Sequence, residues 1–261
     1  MSLLSALFLG VLQGITEFLP VSSDGHLALG RHWIGVIENG LAIDVALHFG
    51  TLLALLWYYR KTIADLWANK LFKPAPFREH IAVCLLAGMI PVGITGLLFE
   101  EVIGSISENL LWVALCFFVN GWILYSSKFA KPDPSKTLNL KTALWIGFAQ
   151  VFALLPGVSR SGTTIVTGVH CGLSQKDSAD FSFLMVMPLL CGATLVKCKA
   201  IFALPHAELA EIGWGVLASF VSGLIALQFL MKVLRGQHFY RFAWYCWFLA
   251  ALTLGAVFAK S

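Results

Sequence analysis

Apolar residues dominate this chain in long runs separated by short polar connections. Crossing a membrane takes about 20 apolar residues in a helix. Runs of that order lie near residues 41–59, 80–99, 110–127, 178–201, 209–231 and 242–259. In hydrocarbon such runs fold as helices, because a helix pairs its backbone groups internally. The pattern therefore predicts an all-α polytopic membrane protein with six transmembrane helices.

Two further apolar stretches, about 3–36 and 142–173, are each interrupted in the middle by proline and a polar loop. Interruptions at matching places in two halves are typical of re-entrant helix–loop–helix hairpins that line an internal cavity. Both stretches contain the pattern Ala-Leu-x-x-Gly-x-x-Gln, at an offset of 137 residues. We therefore expect a single membrane domain over 1–261, built from two repeats at about 1–130 and 138–261.

Composition strengthens the membrane assignment. The chain is 58% hydrophobic and 12% charged, whereas soluble domains are roughly 45–50% apolar and about 25% charged. The net charge of +4 is small and its basic residues lie between apolar runs, so we expect no nucleic-acid partner. The six cysteines lack metal-ligand spacing and are expected to be buried apolar residues. We see no signal peptide, since a basic segment and cleavage site are missing.

Charge along the chain predicts the orientation of the helices. Basic residues cluster in three connections, with Arg60, Lys61, Lys70, Lys73 and Arg78 in the first, Lys128, Lys131, Lys136 and Lys141 in the second, and Lys232, Arg235 and Arg241 in the third. The positive-inside rule makes these connections cytoplasmic. Counting crossings then gives each half one hairpin and three spans, so the second half is inverted relative to the first. The hairpin tips can meet near the midplane, and both termini lie outside. Lys197 and Lys199 run against this scheme and would have to snorkel.

The interruption of the stretch 3–36, which we call the first break, is rich in polar groups. Its polar side chains are Gln13, Glu17, Ser22, Ser23, Asp24 and His26. Gln13 and Glu17 are four residues apart and share one face of a helix. Pro20 ends that helix, and the hydroxyl-rich residues after it can cap the next one. A helix start of this kind suits an anion such as phosphate.

The second break has the same form, with Pro156 and Gly157 followed by Ser159, Arg160, Ser161, Thr163 and Thr164. The guanidinium of Arg160 matches the oxygens of a phosphate group. Polar residues at membrane depth are costly, so we expect the two breaks to form the functional site. Two purely structural alternatives stay open. The hydroxyl groups could serve only as hydrogen-bond partners of the loop backbone, and Glu17 could form an ion pair with Arg160 that has no catalytic role.

Other polar residues receive supporting roles. We interpret His48 and Asp44, near the start of a span, as supporting or interfacial residues. Aromatic residues such as Trp57, Tyr240 and Tyr245 fit the belts found at membrane interfaces.

The two breaks resemble the signatures of bacterial undecaprenyl-diphosphate phosphatases, the bacitracin-resistance family. QGITEFLPVSSDGH (13–26) is similar to the family pattern (E/Q)GxTEFLPVSSxGH, and PGVSRSGTT (156–164) is similar to PGxSRSxxT. The likeness covers essentially the whole chain, including DVALHFGTL (44–52) and FSFLMVMP (181–188).

This resemblance implies hydrolysis of undecaprenyl diphosphate to undecaprenyl phosphate and inorganic phosphate, which recycles the lipid carrier for peptidoglycan and other envelope polymers. It also implies a multi-pass protein of the bacterial inner membrane, a site facing the periplasm, and a divalent metal, Mg²⁺ or Ca²⁺. The expected partners are the polyprenyl diphosphate substrate and membrane lipids, with a homodimer left open.

The resemblance also assigns residues. It implies catalytic roles for Glu17, Ser23, His26 and Arg160, and phosphate binding by Ser22, Ser159, Arg160, Ser161 and Thr164. The candidate metal ligands are Glu17, Gln13 and Asp24. Asp24 departs from the small or hydroxyl residue expected there, and we hypothesise that it compensates for the neutral Gln13. The nucleophile is either Ser23 activated by His26, or a water activated by His26 or Glu17.

A transporter is the competing interpretation. Inverted repeats with broken helices that meet at the midplane are also a transporter architecture. The same site would then bind the head of a polyprenyl phosphate lipid and carry it across the membrane.

Overall fold

A computed structural model describes residues 1–35, 40–69, 81–236 and 238–259. All regular elements in these ranges are helical. The α-helices are α1 (Leu3–Phe18), α2 (Ser23–Ile34), α3 (Gly40–Asn69), α4 (Ile81–Leu98), α5 (Glu100–Glu108), α6 (Leu110–Ser126), α7 (Leu140–Phe152), α8 (Arg160–His170), α9 (Gln175–Phe202), α10 (His206–Arg235) and α11 (Phe242–Phe258).

In the described ranges, six helices are long and apolar enough to cross a membrane: α3, α4, α6, α9, α10 and α11. The expected all-α polytopic fold with six transmembrane helices is therefore confirmed. The main differences are local. α3 continues past its apolar run as far as Asn69, and α5 forms in the connection between the second and third apolar runs. Of the first basic connection, Lys70, Lys73 and Arg78 lie outside the described residues.

The two interrupted stretches each form a pair of short helices. α1 has 16 residues and α7 has 13, fewer than the roughly 20 that a membrane span requires. The breaks follow Phe18 and Phe152, near the prolines that the sequence singled out. This geometry is consistent with the expected re-entrant hairpins.

Helix packing follows the same plan in both halves. α1 packs against α10, and α7 packs against α4. In both contacts the backbones of the two helices approach each other closely. A Cβ atom on Gly10 would clash with Gly215, and one on Gly147 would lie 2.8 Å from the Cα of Gly88. α3 packs against α9, and α6 against α11.

The largest buried apolar cluster lies beside the first break and includes Phe18, Leu55, Phe183 and Leu227. The outer surface is also apolar, as the exposure of Leu86, Leu97, Leu195, Phe202 and Phe248 illustrates. Contiguous exposed apolar surface marks contact with another apolar phase, here the lipid. The molecule is therefore apolar inside and out, and the polar residues at the breaks are the exception.

Candidate functional site

The two breaks lie directly against each other. A Cβ atom on Gly25 would lie 3.0 Å from the Cα of Gly157, and one on Gly162 would lie 3.2 Å from the Cβ of Pro20. Gly25 corresponds to Gly162, and Pro20 to Gly157, at the offset of 137 residues found in the sequence. The contact of Gly25 with Gly157 is therefore equivalent to the contact of Gly162 with Pro20. Neither Gly25 nor Gly162 has space for a larger side chain.

Ser22 ties the first break to the second. It is the N-cap of α2, where its Oγ accepts hydrogen bonds from the N–H groups of Gly25 at 3.3 Å and Gly157 at 3.0 Å. Its φ angle is 69°, a region that non-glycine residues seldom adopt. Strained backbone of this kind persists only where its surroundings hold it, and it clusters at functional sites.

Ser159 has the equivalent position at the start of α8, and Asn120 joins it to the first break. Ser159 Oγ accepts from the N–H of Gly162 at 3.0 Å, and its own N–H donates to Asn120 Oδ1 at 3.0 Å. Asn120 Nδ2 donates to the carbonyl of Pro20 at 3.0 Å. Sequence reasoning missed Asn120. The signal was available, since a fully buried amide within an apolar run requires hydrogen-bond partners.

Four side chains converge on the carboxylate of Glu17, which is 7% exposed. Arg160 Nη2 lies 2.6 Å from Oε1. Ser23 Oγ donates to Oε2 at 2.7 Å and Gln13 Nε2 does so at 3.1 Å, while His48 Nε2 lies 3.4 Å away. Three of these contacts fall on Oε2 and one on Oε1, so Oε1 keeps one of the about four acceptor sites that a carboxylate offers. The structure thus brings together the expected Glu17, Ser23, Gln13 and Arg160.

His48, expected as a supporting or interfacial residue, lies beside Glu17. Its Nε2 also lies 3.6 Å from Asp24 Oδ1, and its Nδ1 donates to the carbonyl of Asp44 at 2.7 Å. Asp44 in turn pairs with Arg31 at 3.1 Å. His48 therefore contacts Glu17 directly, instead of lying at an interface. An ionisable residue inside a predicted span was the available signal.

His26 is held by groups other than Ser23. Its Nδ1 lies 2.7 Å from the carbonyl of Ser22 and its Nε2 lies 2.8 Å from the hydroxyl of Tyr245. Because a carbonyl can only accept, Nδ1 carries the proton and Nε2 accepts from Tyr245. The rings of His26 and Tyr245 are stacked, 5.7 Å apart. Tyr245, expected in an interfacial belt, is thus a partner of His26, and the hydroxyl of Ser23 is bonded to Glu17.

The hydroxyls of Ser161 and Thr164 bond within the second break and to neighbouring segments. Ser161 Oγ lies 3.1 Å from Ser159 Oγ and donates to the carbonyl of Leu19 at 3.3 Å. Thr164 Oγ1 donates to the carbonyl of Arg160 at 2.8 Å and lies 2.6 Å from Ser182 Oγ. These bonds fix the position of Arg160 against the first break.

Two buried polar atoms beside Glu17 have no hydrogen-bond partner among the described residues: Arg160 Nη1 and Gln13 Oε1. Buried polar atoms in proteins are rarely left unpaired. Arg160 Nη1 is a donor suited to an anion. The N–H groups of the first residues of α2 and α8 also lack intrahelical acceptors, which suits an anion as well.

Gln13 Oε1 is an acceptor suited to a cation. No group of three or more His, Cys, Asp or Glu side chains within the described ranges has the arrangement of a metal site. Mg²⁺ commonly uses only one or two carboxylates together with phosphate oxygens of the substrate. Gln13 Oε1 and the Asp24 carboxylate, whose side chain is 53% exposed, fit that requirement. Glu17 Oε1, which contacts only Arg160 among the described residues, also keeps an acceptor site.

Comparison with known proteins gives a consistent result. A family model described as bacitracin resistance protein BacA matches residues 6–252. A protein named undecaprenyl-diphosphatase from Methanobrevibacter smithii is 36% identical, covering 97% of this chain and 96% of that protein. Proteins of the same name from Desulforapulum autotrophicum and Caldicellulosiruptor bescii are 34% and 38% identical, over 99% and 97% of each chain.

Proposed function

This chain belongs to the bacitracin resistance protein BacA family. We propose that Glu17 and the side chains around it, which we call the polar centre, hydrolyse undecaprenyl diphosphate to undecaprenyl phosphate and inorganic phosphate. The observation that carries this proposal is the contact of Ser23 Oγ with Glu17, at 2.7 Å, beside an arginine with an unpaired buried nitrogen. The enzyme thereby returns the lipid carrier to the monophosphate form used in envelope polymer synthesis.

Binding of the diphosphate relies on the second break. Arg160 is held by Glu17 through Nη2 and keeps Nη1 for a phosphate oxygen. The starts of α2 and α8 add backbone donors. Phosphoryl transfer depends mainly on positioning and charge neutralisation, and these groups provide both.

Ser23 is the nucleophile that the hydrogen bonds favour. Its Oγ attacks the terminal phosphorus, the bond from that phosphorus to the bridging oxygen breaks, and undecaprenyl phosphate leaves. The proton of Ser23 passes to Glu17, which already accepts its hydrogen bond. Water then attacks the phosphoserine, Ser23 recovers its proton from Glu17, and inorganic phosphate leaves.

His26 has a positioning role in this scheme. Both of its nitrogens are engaged, one by the carbonyl of Ser22 and one by Tyr245. The ring therefore holds the strained residue that precedes Ser23. The alternative route, a water activated by His26 or Glu17, needs no bond between His26 and Ser23.

A divalent cation, Mg²⁺ or Ca²⁺, fits beside this centre. Gln13 Oε1 and the Asp24 carboxylate would hold it together with substrate oxygens, and it would neutralise charge on the diphosphate. In that arrangement Asp24 supplies the carboxylate that the neutral Gln13 lacks, and Glu17 remains available to accept the proton of Ser23.

The orientation follows from charge and from the repeat. The reciprocal contacts between the breaks and the matching helix pairs, α1 with α10 and α7 with α4, support two inverted repeats. The basic connections then face the cytoplasm, while the termini and the site face the periplasm across the inner membrane. Self-association as a homodimer is a separate proposal, tested by the mass of the purified protein.

The test is release of inorganic phosphate from a polyprenyl diphosphate by the purified protein in detergent, with and without EDTA. We expect release that stops with EDTA and returns with added Mg²⁺ or Ca²⁺. Phosphate release that continues in the presence of EDTA would contradict a requirement for a divalent metal. Binding of the lipid head without any release would instead support the transporter.

Two variants separate the candidate nucleophiles. We expect Ser23→Ala to lose phosphate release almost completely and to give no phosphorylated protein. The control His26→Ala retains a phosphorylated intermediate, since its ring only positions the break. Full activity of Ser23→Ala would rule out the covalent route and leave water as the nucleophile.

A further inference from the structure

A second concave surface lies apart from the polar centre. A groove of ≈ 700 Å³ runs between the break in α1 and the connection from α10 to α11. We call it the α10–α11 groove. Its walls include Ile15, Leu19, Val21, Phe242 and Tyr245, whereas the residues of the polar centre that contact Glu17 do not line it. It adjoins the first break through Leu19 and Val21, and Tyr245 links it to His26 by the hydrogen bond of its hydroxyl.

The groove opens on the apolar outer surface of the molecule. Ile15 on its wall is 41% exposed and Tyr245 is 44% exposed, and the neighbouring Val11 and Trp244 are 42% and 63% exposed. This surface faces lipid chains in a membrane. A hydrocarbon chain is therefore the occupant that matches the walls.

One end of the groove is basic. Lys232, His238 and Arg241 line it and are exposed. None of the ion pairs among the described residues involves Lys232 or Arg241. By contrast, Lys128 lies over Tyr125, and Lys176 pairs with Asp180. Lys232 and Arg241 thus remain available to an external anion.

We propose that the α10–α11 groove binds an anionic glycerophospholipid, with its phosphate at Lys232 and Arg241 and an acyl chain along Leu19, Val21 and Tyr245. Basic pockets between transmembrane helices on the cytoplasmic side bind anionic head groups in this way. The proposal does not depend on the hydrolytic function, because neither Glu17 nor the side chains that contact it line the groove.

The test uses native mass spectrometry of the full-length protein in detergent, titrated with phosphatidylglycerol or phosphatidylcholine. We expect preferential binding of phosphatidylglycerol. The double variant Lys232→Gln/Arg241→Gln should weaken it by about 30-fold, since each basic residue near the membrane surface contributes a factor of about five. The control Lys131→Gln/Lys136→Gln removes the same charge from an exposed connection outside the groove and should bind as wild type does.

A second variant tests the apolar part. Ile15→Trp fills the groove from a partly exposed position, so we expect loss of phosphatidylglycerol binding while the basic end stays intact. Equal binding of both lipids, or equal weakening by the two charge variants, would overturn the proposal. So would phosphatidylglycerol binding that Ile15→Trp leaves unchanged.

Discussion

The two broken helix pairs, α1–α2 and α7–α8, share a backbone design and differ in chemistry. In each, a serine caps the second helix and bonds the N–H of a glycine three residues later, Ser22 with Gly25 and Ser159 with Gly162. The residue after the cap is Ser23 in the first pair and Arg160 in the second. One backbone plan thus places a hydroxyl and a guanidinium at equivalent positions, both on Glu17.

This difference shows how an internal repeat can build an asymmetric site. The fold supplies the repeated parts, which are the break, the cap and the close contact between breaks. Individual substitutions within them then supply the acid–base group, the nucleophile and the anion-binding group. Substitutions at equivalent positions in the two pairs test whether the pairs differ in this way.

The largest stability effect is expected where the two pairs pack most closely on their neighbours. Gly10→Ala and Gly147→Ala should each destabilise the protein by about 1–3 kcal/mol, because a Cβ meets backbone atoms that cannot move aside. The measurement is the thermal unfolding midpoint in detergent.

Gly213→Ala is the matched control for these changes, since a Cβ there meets nothing within 4 Å. It should be neutral or slightly stabilising, because alanine favours the helix over glycine. A normal midpoint for Gly147→Ala would show that the α4–α7 contact is looser than the α1–α10 contact.

A smaller and unequal effect is expected from the two capping serines. Ser159→Ala should cost about 1 kcal/mol, the usual value of a lost N-cap. Ser22→Ala should cost more, up to about 2 kcal/mol, because Ser22 Oγ also accepts from the N–H of Gly157. The same thermal measurement compares them. Equal losses would mean that the bond to Gly157 contributes no more than the contact of Ser159 Oγ with Ser161 Oγ.

The smallest effect is expected at the equivalent glutamines. Gln13 bonds to Glu17, whereas neither side-chain polar atom of Gln150 has a partner among the described residues. Gln150→Leu should leave phosphate release unchanged and raise stability by about 1 kcal/mol or less, since it removes an unpaired buried amide.

Gln13→Leu should reduce phosphate release several-fold, because Glu17 loses a donor and the proposed cation loses a ligand. A loss of activity in Gln150→Leu as large as that in Gln13→Leu would mean that the pairs are not specialised as described.

Much of this arrangement was predictable from the sequence. Hydrophobic runs and interrupted segments indicated the six long helices and the two breaks, and Pro20 and Pro156 located the breaks. The charge pattern predicted the orientation, which stays a prediction. Helix ends were less predictable, as in α3, because a polar final turn can still be helical.

The contacts across the breaks were not predictable from spacing alone. Asn120, His48 and Tyr245 come from three different helices, and only the packing brings them to the site. The same holds for the partner of Ser23. The sequence offered both His26 and Glu17 within reach, and the local fold directs the hydroxyl to Glu17.

The claim that both broken pairs form one catalytic site is tested most directly by a double-mutant cycle on phosphate release. Glu17→Gln and Arg160→Gln should each lower kcat/KM by about 10²–10³-fold, the usual loss for a group that stabilises transition-state charge. Because residues that act as a unit are not additive, the double variant should be no worse than the poorer single variant. Losses that multiply would contradict the shared site and show that Glu17 and Arg160 act independently.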